Sequence, residues 1–233
     1  MHPMDHEFKG ANRARTGPRS RPAAQRSARR YDSAGRREAA EKRRLLVLDA
    51  ARARFLSDGF VATTVAQVAR DAEVSPEFIY KAFGSKAELA AAVWDRALAG
   101  RGERPAYTRS DEVSSSAHDP RVILRNWAVL SAEVSELGAP LQAMMRAAAQ
   151  VDADAARMFT EVERQREARM THNAAYLIEG GHVRPGLTAD QVRDILLLVA
   201  GELYESLVLH RGWPTDAYIE LAYRFLASTL LPE

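Results

Sequence analysis

The side chains best suited to chemistry are polar groups matched to a polyanion, and they crowd into one short stretch. Thr64, Tyr80, Lys81 and Lys86 bring a hydroxyl, a phenol and two ammonium groups, the types that bond phosphate oxygens. Between them Ser75, Pro76, Glu77 and Phe78 open a segment that reads as an exposed helix, with a cap, a proline at its first position and an acid near its positive end. Phosphates repel a carboxylate such as Glu77, but it accepts from cytosine N4 and so would discriminate among bases.

Catalytic patterns are missing. The six histidines form no H-E-x-x-H, and no G-x-x-x-x-G-K, G-x-G-x-x-G or G-x-S-x-G occurs. Glu179-Gly-Gly-His182 has the E-x-x-H spacing of di-iron bundles, but in one copy where two are needed, and its Gly-Gly opposes a helix. With no cysteine there are no disulfides, thiolate metal sites or cysteine nucleophiles. This reading assigns no catalytic residue, no metal and no cofactor.

These groups need short, well-stopped helices to hold them. Leu48, Ala51 and Phe55 repeat at i, i+3, i+7 in a first helix from about Glu41, and Gly59 suits its end. Thr64-Val-Ala-Gln67 predicts a capping box and a short helix with Val65, Val68, Ala69 and Ala72 inward. Ser75 caps the next helix, to Phe83, where Ile79 and Phe83 at i, i+4 face the core and leave Glu77, Phe78, Tyr80 and Lys81 on or near the outside. Ser85 caps another helix to about Ala99. Residues 64–83 thus have the anatomy of a helix-turn-helix, with a reading helix long enough for a major groove about 12 Å wide.

Charge agrees. Residues 1–38 hold ten basic and four acidic side chains, whereas residues 101–233 hold fourteen and nineteen. The basic front reads as a disordered tail attracted to phosphate. The longest uncharged apolar run, Ile195–Gly201, is far below the ~20 residues of a membrane span. A cytoplasmic protein without a membrane partner is expected.

Residues 47–89 resemble the DNA-binding domain of the TetR/AcrR family of bacterial repressors. The marks are Ala50-Ala51, Phe55, Gly59, Thr63-Thr64, Val68-Ala69, Val74-Ser75, Ile79-Tyr80, Phe83, Ser85-Lys86 and Leu89. The resemblance implies an all-α homodimer whose C-terminal domain binds ligand and dimerises. It also implies that Thr64, Tyr80 and Lys86 contact phosphates while the helix from Ser75 reads bases. Three departures bear on the operator sequence, the first being the carboxylate of Glu77 on the reading helix. Glu73 stands at the turn position usually held by Gly, which predicts a left-handed residue at ~1 kcal/mol. Ala82 stands where an aromatic or His is common.

The organisation expected is a tail over 1–38, a DNA-binding domain over 39–100 and a helical ligand-binding and dimerisation domain over 101–233. Residues 101–118 read as a loop, and Gly138-Ala-Pro140 as a break between helices. Asp119, Asp152, Thr188 and Pro214 open later helices. Trp127, Met144, Met145, Met158, Phe159 and Tyr176 are candidate lining for an inducer cavity, Met being adaptable filler. The helix after Thr188 is apolar on more than one face. With the last helix it predicts a bundle across a two-fold axis, with Leu196, Val199, Leu203, Tyr218, Phe225 and Leu226 as candidate contacts.

The partners expected are a double-stranded DNA operator, a small-molecule inducer and a second copy of the chain. The other readings are a small-molecule-binding helical protein with a vestigial DNA domain, and an all-α enzyme.

Overall fold

A computed structural model describes the backbone of residues 23–100 and 105–233, and side chains from residue 35 onward within them. Every regular element among the described residues is helical, and none of these helices is long and apolar enough to cross a membrane. The chain divides into residues 1–42 and a compact body of residues 43–233.

The first helix, α1 (Ala23–Ser57), starts well before Glu41. Its early stretch, read from composition as unstructured, is rich in Ala and Arg, both strong helix formers. Residues 1–22 of the expected basic tail lie outside the described residues. After α1 come α2 (Gly59–Ala62), α3 (Val65–Asp71), α4 (Pro76–Phe83) and α5 (Lys86–Ala99). Val47, Ala51, Phe55, Phe60, Val68, Ile79 and Leu89 form their common core, with Phe55 stacked on Phe60 at 5.7 Å. That core does not stop at α5. It continues into Leu141, Met145, Met158 and Val162, so the helix-turn-helix is fastened to the C-terminal helices by one contiguous apolar cluster.

The C-terminal part comprises α6 (Ala106–Ser116), α7 (Pro120–Ala148), α8 (Ala153–Glu179), α9 (Ala189–Leu198) and α10 (Thr215–Leu230), with two π-helical segments, Val199–Leu203 and Glu205–Leu209, continuing α9. The caps at Asp119, Asp152 and Thr188 each accept from the backbone as their sequence implies.

Two expectations fail here. The stretch read as a loop holds α6. Ala106, Ser110 and Ser114 recur at i, i+4, i+8 and are buried, and the Ser114 hydroxyl donates to the Ser110 carbonyl at 2.9 Å; small residues on one face let the helix pack closely. The predicted break at Gly138-Ala-Pro140 lies inside an unbroken α7. Burial of Gly138 and Ala139 outweighs the lost backbone donor at Pro140, and Gly138 is where Trp94 comes closest, its ring 3.3 Å from the site a Cβ would occupy.

Candidate nucleic-acid interface

The reading helix is set by its two ends. At its start the Ser75 hydroxyl accepts from the Phe78 amide at 3.2 Å, and Pro76 occupies the first helical position. At its end Gly84, with φ 91°, donates to the Tyr80 carbonyl at 2.9 Å. Eight residues at about 1.5 Å each make a rod of about 12 Å.

Ahead of it, Thr64 and Gln67 form the full reciprocal box that starts α3. The turn between α3 and α4 is the left-handed one: Glu73 has φ 53° and is the one non-glycine with positive φ among the described residues. Val74 then donates to the Ala69 carbonyl at 2.9 Å, which closes the end of α3 in the manner of a Schellman turn.

Burial sorts the side chains of α4. Ile79 and Phe83 are buried, Phe78 and Ala82 are half-buried against the same core, and Glu77, Tyr80 and Lys81 are exposed, with Tyr80 54% accessible. Phe78 is therefore a packing residue that keeps an edge outward, while Tyr80 and Lys81 stand free. The carboxyl of Glu77 is held below the usual range, first by its own backbone amide and then by the Ser75 hydroxyl, so at neutral pH it is a full acceptor on the reading face.

Two arginines that the sequence did not single out hold the rod in place. Arg44 donates to the Ala82 carbonyl at 2.8 Å and lies 4.2 Å over the Phe83 ring, clamping the end of α4 to α1. Arg54 bridges Asp58 at 3.0 Å and Asp71 at 2.5 Å, tying α1 to the end of α3. Arg44 and the Ala82 carbonyl lie 38 residues apart, and Arg54 and Asp71 17 apart, and no local pattern marks these two pairings.

Lys86 departs from the expectation of a phosphate contact. Its ammonium donates to the carbonyls of Phe60 at 2.8 Å, Thr63 at 3.2 Å and Val61 at 3.4 Å, and sits 4.3 Å over the Phe60 ring. An ammonium has three donors, and here all three cap the end of α2. Thr64 is exposed, but its hydroxyl is engaged with Gln67.

In the C-terminal helices a cavity of about 110 Å³ opens between α5, α6, α7, α8 and the π-helical segment. Of the six residues expected to line it, only Trp127 does. Met144, Met145, Met158 and Phe159 belong instead to the core shared with the helix-turn-helix. Tyr176 packs edge-on against Trp127 at 6.4 Å and donates to the Ser114 carbonyl, outside the cavity wall. Spacing along α7 and α8 placed these residues on apolar faces, but it does not say which side of a helix meets a core and which a void.

The proposed dimer contacts also change. Leu196, Val199, Tyr218 and Leu226 are buried inside the protomer, and Leu203 and Phe225 are half-buried against the same cluster. Tyr218 even donates to the Val199 carbonyl at 2.6 Å, and burial pushes its phenol up to about 12. The outward apolar residues on this side are Leu198, Leu209, Trp213 and Leu221. A helix apolar on both faces leaves its inward stripe undecided, and π turns beyond Leu198 change its phase again.

Residues 47–93 match the family model for bacterial regulatory proteins of the tetR family. No curated protein sequence matches the chain. Among solved structures, NalD of Pseudomonas aeruginosa, described as the secondary repressor of a multidrug efflux pump, is 18% identical, with a TM-score of 0.65 over 84% of this chain and 98% of that one. The transcriptional regulator FadR of Bacillus subtilis, solved with stearoyl-CoA, is 16% identical, with a TM-score of 0.65 over 79% and 97%. A transcriptional regulator of Saccharomonospora viridis, solved with choline, is 14% identical, with a TM-score of 0.63 over 83% and 100%. At such identities the likeness is one of fold. The matched residues are those that build the capped rod and its supports, so residues 47–93 are a DNA-binding domain of the tetR type, carried on a chain that shares the fold of these solved regulators.

Proposed function

We infer that the chain works as a repressor that grips a palindromic operator as a homodimer and lets go when a small molecule fills its C-terminal cavity. The observation that carries this reading is the exposed face of α4, with Tyr80 and Lys81 free on a helix anchored from behind by Ile79 and Phe83. In this reading Tyr80 and Lys81 bond phosphates, the start of α4 at Ser75, Pro76 and Glu77 meets base edges, and Glu77 selects for cytosine. Lys86 has a supporting role, because its donors are spent on α2.

A second copy supplies the second rod, as operator symmetry requires. The outward residues Leu198, Leu209, Trp213 and Leu221 on α9, its π-helical extension and the approach to and body of α10 are the surface offered to it. The complexes of related folds with stearoyl-CoA and with choline support a ligand site in this architecture. Release follows from geometry. Trp94 and Leu98 of α5 line the cavity, and Trp94 also belongs to the core of the helix-turn-helix, so an occupant that moves α5 moves the rod. Coupling of this kind is commonly about 1–3 kcal/mol, a change of roughly 5–150-fold in operator affinity.

The test is a gel shift with DNA from upstream of the chain's own gene, across a salt series. Tyr80→Ala and Lys81→Ala should each weaken binding, and Lys81→Ala should reduce the salt slope by about 1. Full retention of affinity in both variants, or no binding by the unaltered protein, would refute the reading.

A further inference from the structure

The cavity has an unusual wall. Six residues that line it carry a buried polar atom with no hydrogen-bond partner: Trp94 Nε1, Tyr107 Oη, Trp127 Nε1, Arg166 Nη2, Arg169 Nε and Asn173 Oδ1. A buried polar group left unpaired costs about 1–3 kcal/mol, so six around one space call for a common partner. Four of them, the two indole and two guanidinium nitrogens, can only donate; a fifth, the phenol, can do either; only the Asn173 carbonyl is an acceptor. Water is a poor solution, since its hydrogens would find few acceptors. An occupant rich in oxygen lone pairs and free of donors fits.

Charge narrows this further. Arg166 and Arg169 have side chains only 8% and 9% exposed, whereas their counter-ions Glu163, Glu202 and Asp111 are 37%, 49% and 53% exposed. The arginine side chains are buried while the carboxylates that pair with them reach solvent. Glu163 takes Arg166 Nη1 with both oxygens, at 2.9 and 3.0 Å, while Gln142 donates to Glu163 at 2.7 Å, so Glu163 is saturated on that edge. The nearest acid to Arg166 Nη2 is Glu202 at 3.9 Å, beyond hydrogen-bond reach. Asp111 takes Arg169 Nη2 and leaves Nε unpaired. Gly201, in the π-helical segment, completes the arrangement. A Cβ there would overlap Arg166 Nη2 and lie 3.1 Å from its Cζ, so a larger residue displaces the guanidinium from this position. The remaining wall is apolar, with Leu130, Val134, Met170 and Leu196 among its members.

The geometry points to a small organic carboxylate with an apolar body as the ligand, its carboxylate on Arg166 Nη2 and Arg169 Nε and its body among the indoles and aliphatic side chains. The assignment rests on the reading of this cavity as the inducer site. A carboxylate offers one oxygen to each of these two nitrogens, and charge-assisted bonds of this kind are roughly twice as strong as neutral ones. At about 110 Å³ the space is smaller than the ~150 Å³ apolar cavity that takes benzene, so a ring-sized acid presses Trp94 away from Gly138 as it enters.

The test uses the full chain with benzoate, phenylacetate and hexanoate, each beside the amide and the amine of the same skeleton, read by calorimetry and by tryptophan emission. At least one carboxylate should bind about tenfold or more tighter than its amide, and the amine should bind weakest. Arg166→Gln should erase that preference. The wild-type comparison stands without the variant, should its fold suffer. An amide that binds as well as its acid, or no carboxylate binding at millimolar concentration, overturns the assignment. Operator release is read separately. Carboxylate binding without release supports the ligand class and defeats ligand-controlled repression. Release by neutral or cationic compounds alone does the reverse.

Discussion

The helix-turn-helix and the C-terminal helices solve opposite problems. In residues 43–100 the helices are short, α3, α4 and α5 each begin at a side-chain cap, and the one buried polar residue is Thr63, whose hydroxyl donates to the Gly59 carbonyl at 2.7 Å. Among the described C-terminal residues Ser110, Ser114, Ser135, Gln142, Arg166 and Asn173 are all buried, a proline runs through α7, and α9 gives way to π turns. A rod that must present a fixed face to a groove obeys nearly every local rule, the left-handed Glu73 being the exception. A chamber that must receive a ligand breaks several, and six residues of its wall carry a buried polar atom without a hydrogen-bond partner. Conflict between local rules and tertiary structure thus marks the place where something is bound, and its absence marks the place that must stay rigid.

The contrast can be broken by substitution. Phe55→Ala empties the centre of the N-terminal core and should cost about 3–5 kcal/mol in urea unfolding, with operator binding lost alongside. A loss under 1 kcal/mol would mean that this half is not held as described. Gly201→Ala drives a methyl into Arg166 and should cost about 1–3 kcal/mol while leaving operator binding intact and abolishing any ligand response. Retention of that response would detach the π-helical segment from the chamber.

Ser75→Ala removes one cap and should lower stability by about 1 kcal/mol, which thermal melting resolves. Glu73→Gly should move the other way by up to about 1 kcal/mol, because the left-handed turn no longer strains a side chain. Part of that gain is returned through the freer unfolded chain.

The smallest effect is on pH. Hydrogen bonding by Arg54 holds the Asp71 carboxyl below its usual range, and the Ser57 hydroxyl followed by Arg54 does the same for Asp58. A depressed carboxyl stabilises the fold above the unfolded value of about 3.9, and that contribution disappears as pH falls through the lowered value. Asp71→Asn should therefore flatten the acid limb of a melting-temperature profile below about pH 4 and leave its neutral region only slightly lower.

Particular residues show where reading from sequence succeeded. The caps at Thr64, Ser75, Asp152 and Thr188, the stop at Gly84 and the left-handed Glu73 all involve groups within a few residues of one another, so their hydrogen bonds are implied by order alone. The inward Ile79 and Phe83 follow from helical period. The engagement of Lys86 was not legible, because its partners, the carbonyls of Phe60, Val61 and Thr63, lie more than twenty residues away and any lysine at a helix start looks free. Met145 and Met158 were misread because a core and a cavity wall demand the same apolar stripe.

Order along the chain was enough to specify the helix starts and stops, the helix-turn-helix and its family, since each depends on neighbours in sequence. Which face of α9 and α10 turns inward, where α7 ignores its proline and which arginines are aimed at an interior space were settled only on packing. These depend on atoms brought together from distant helices, where burial of many side chains outweighs the preference of any one.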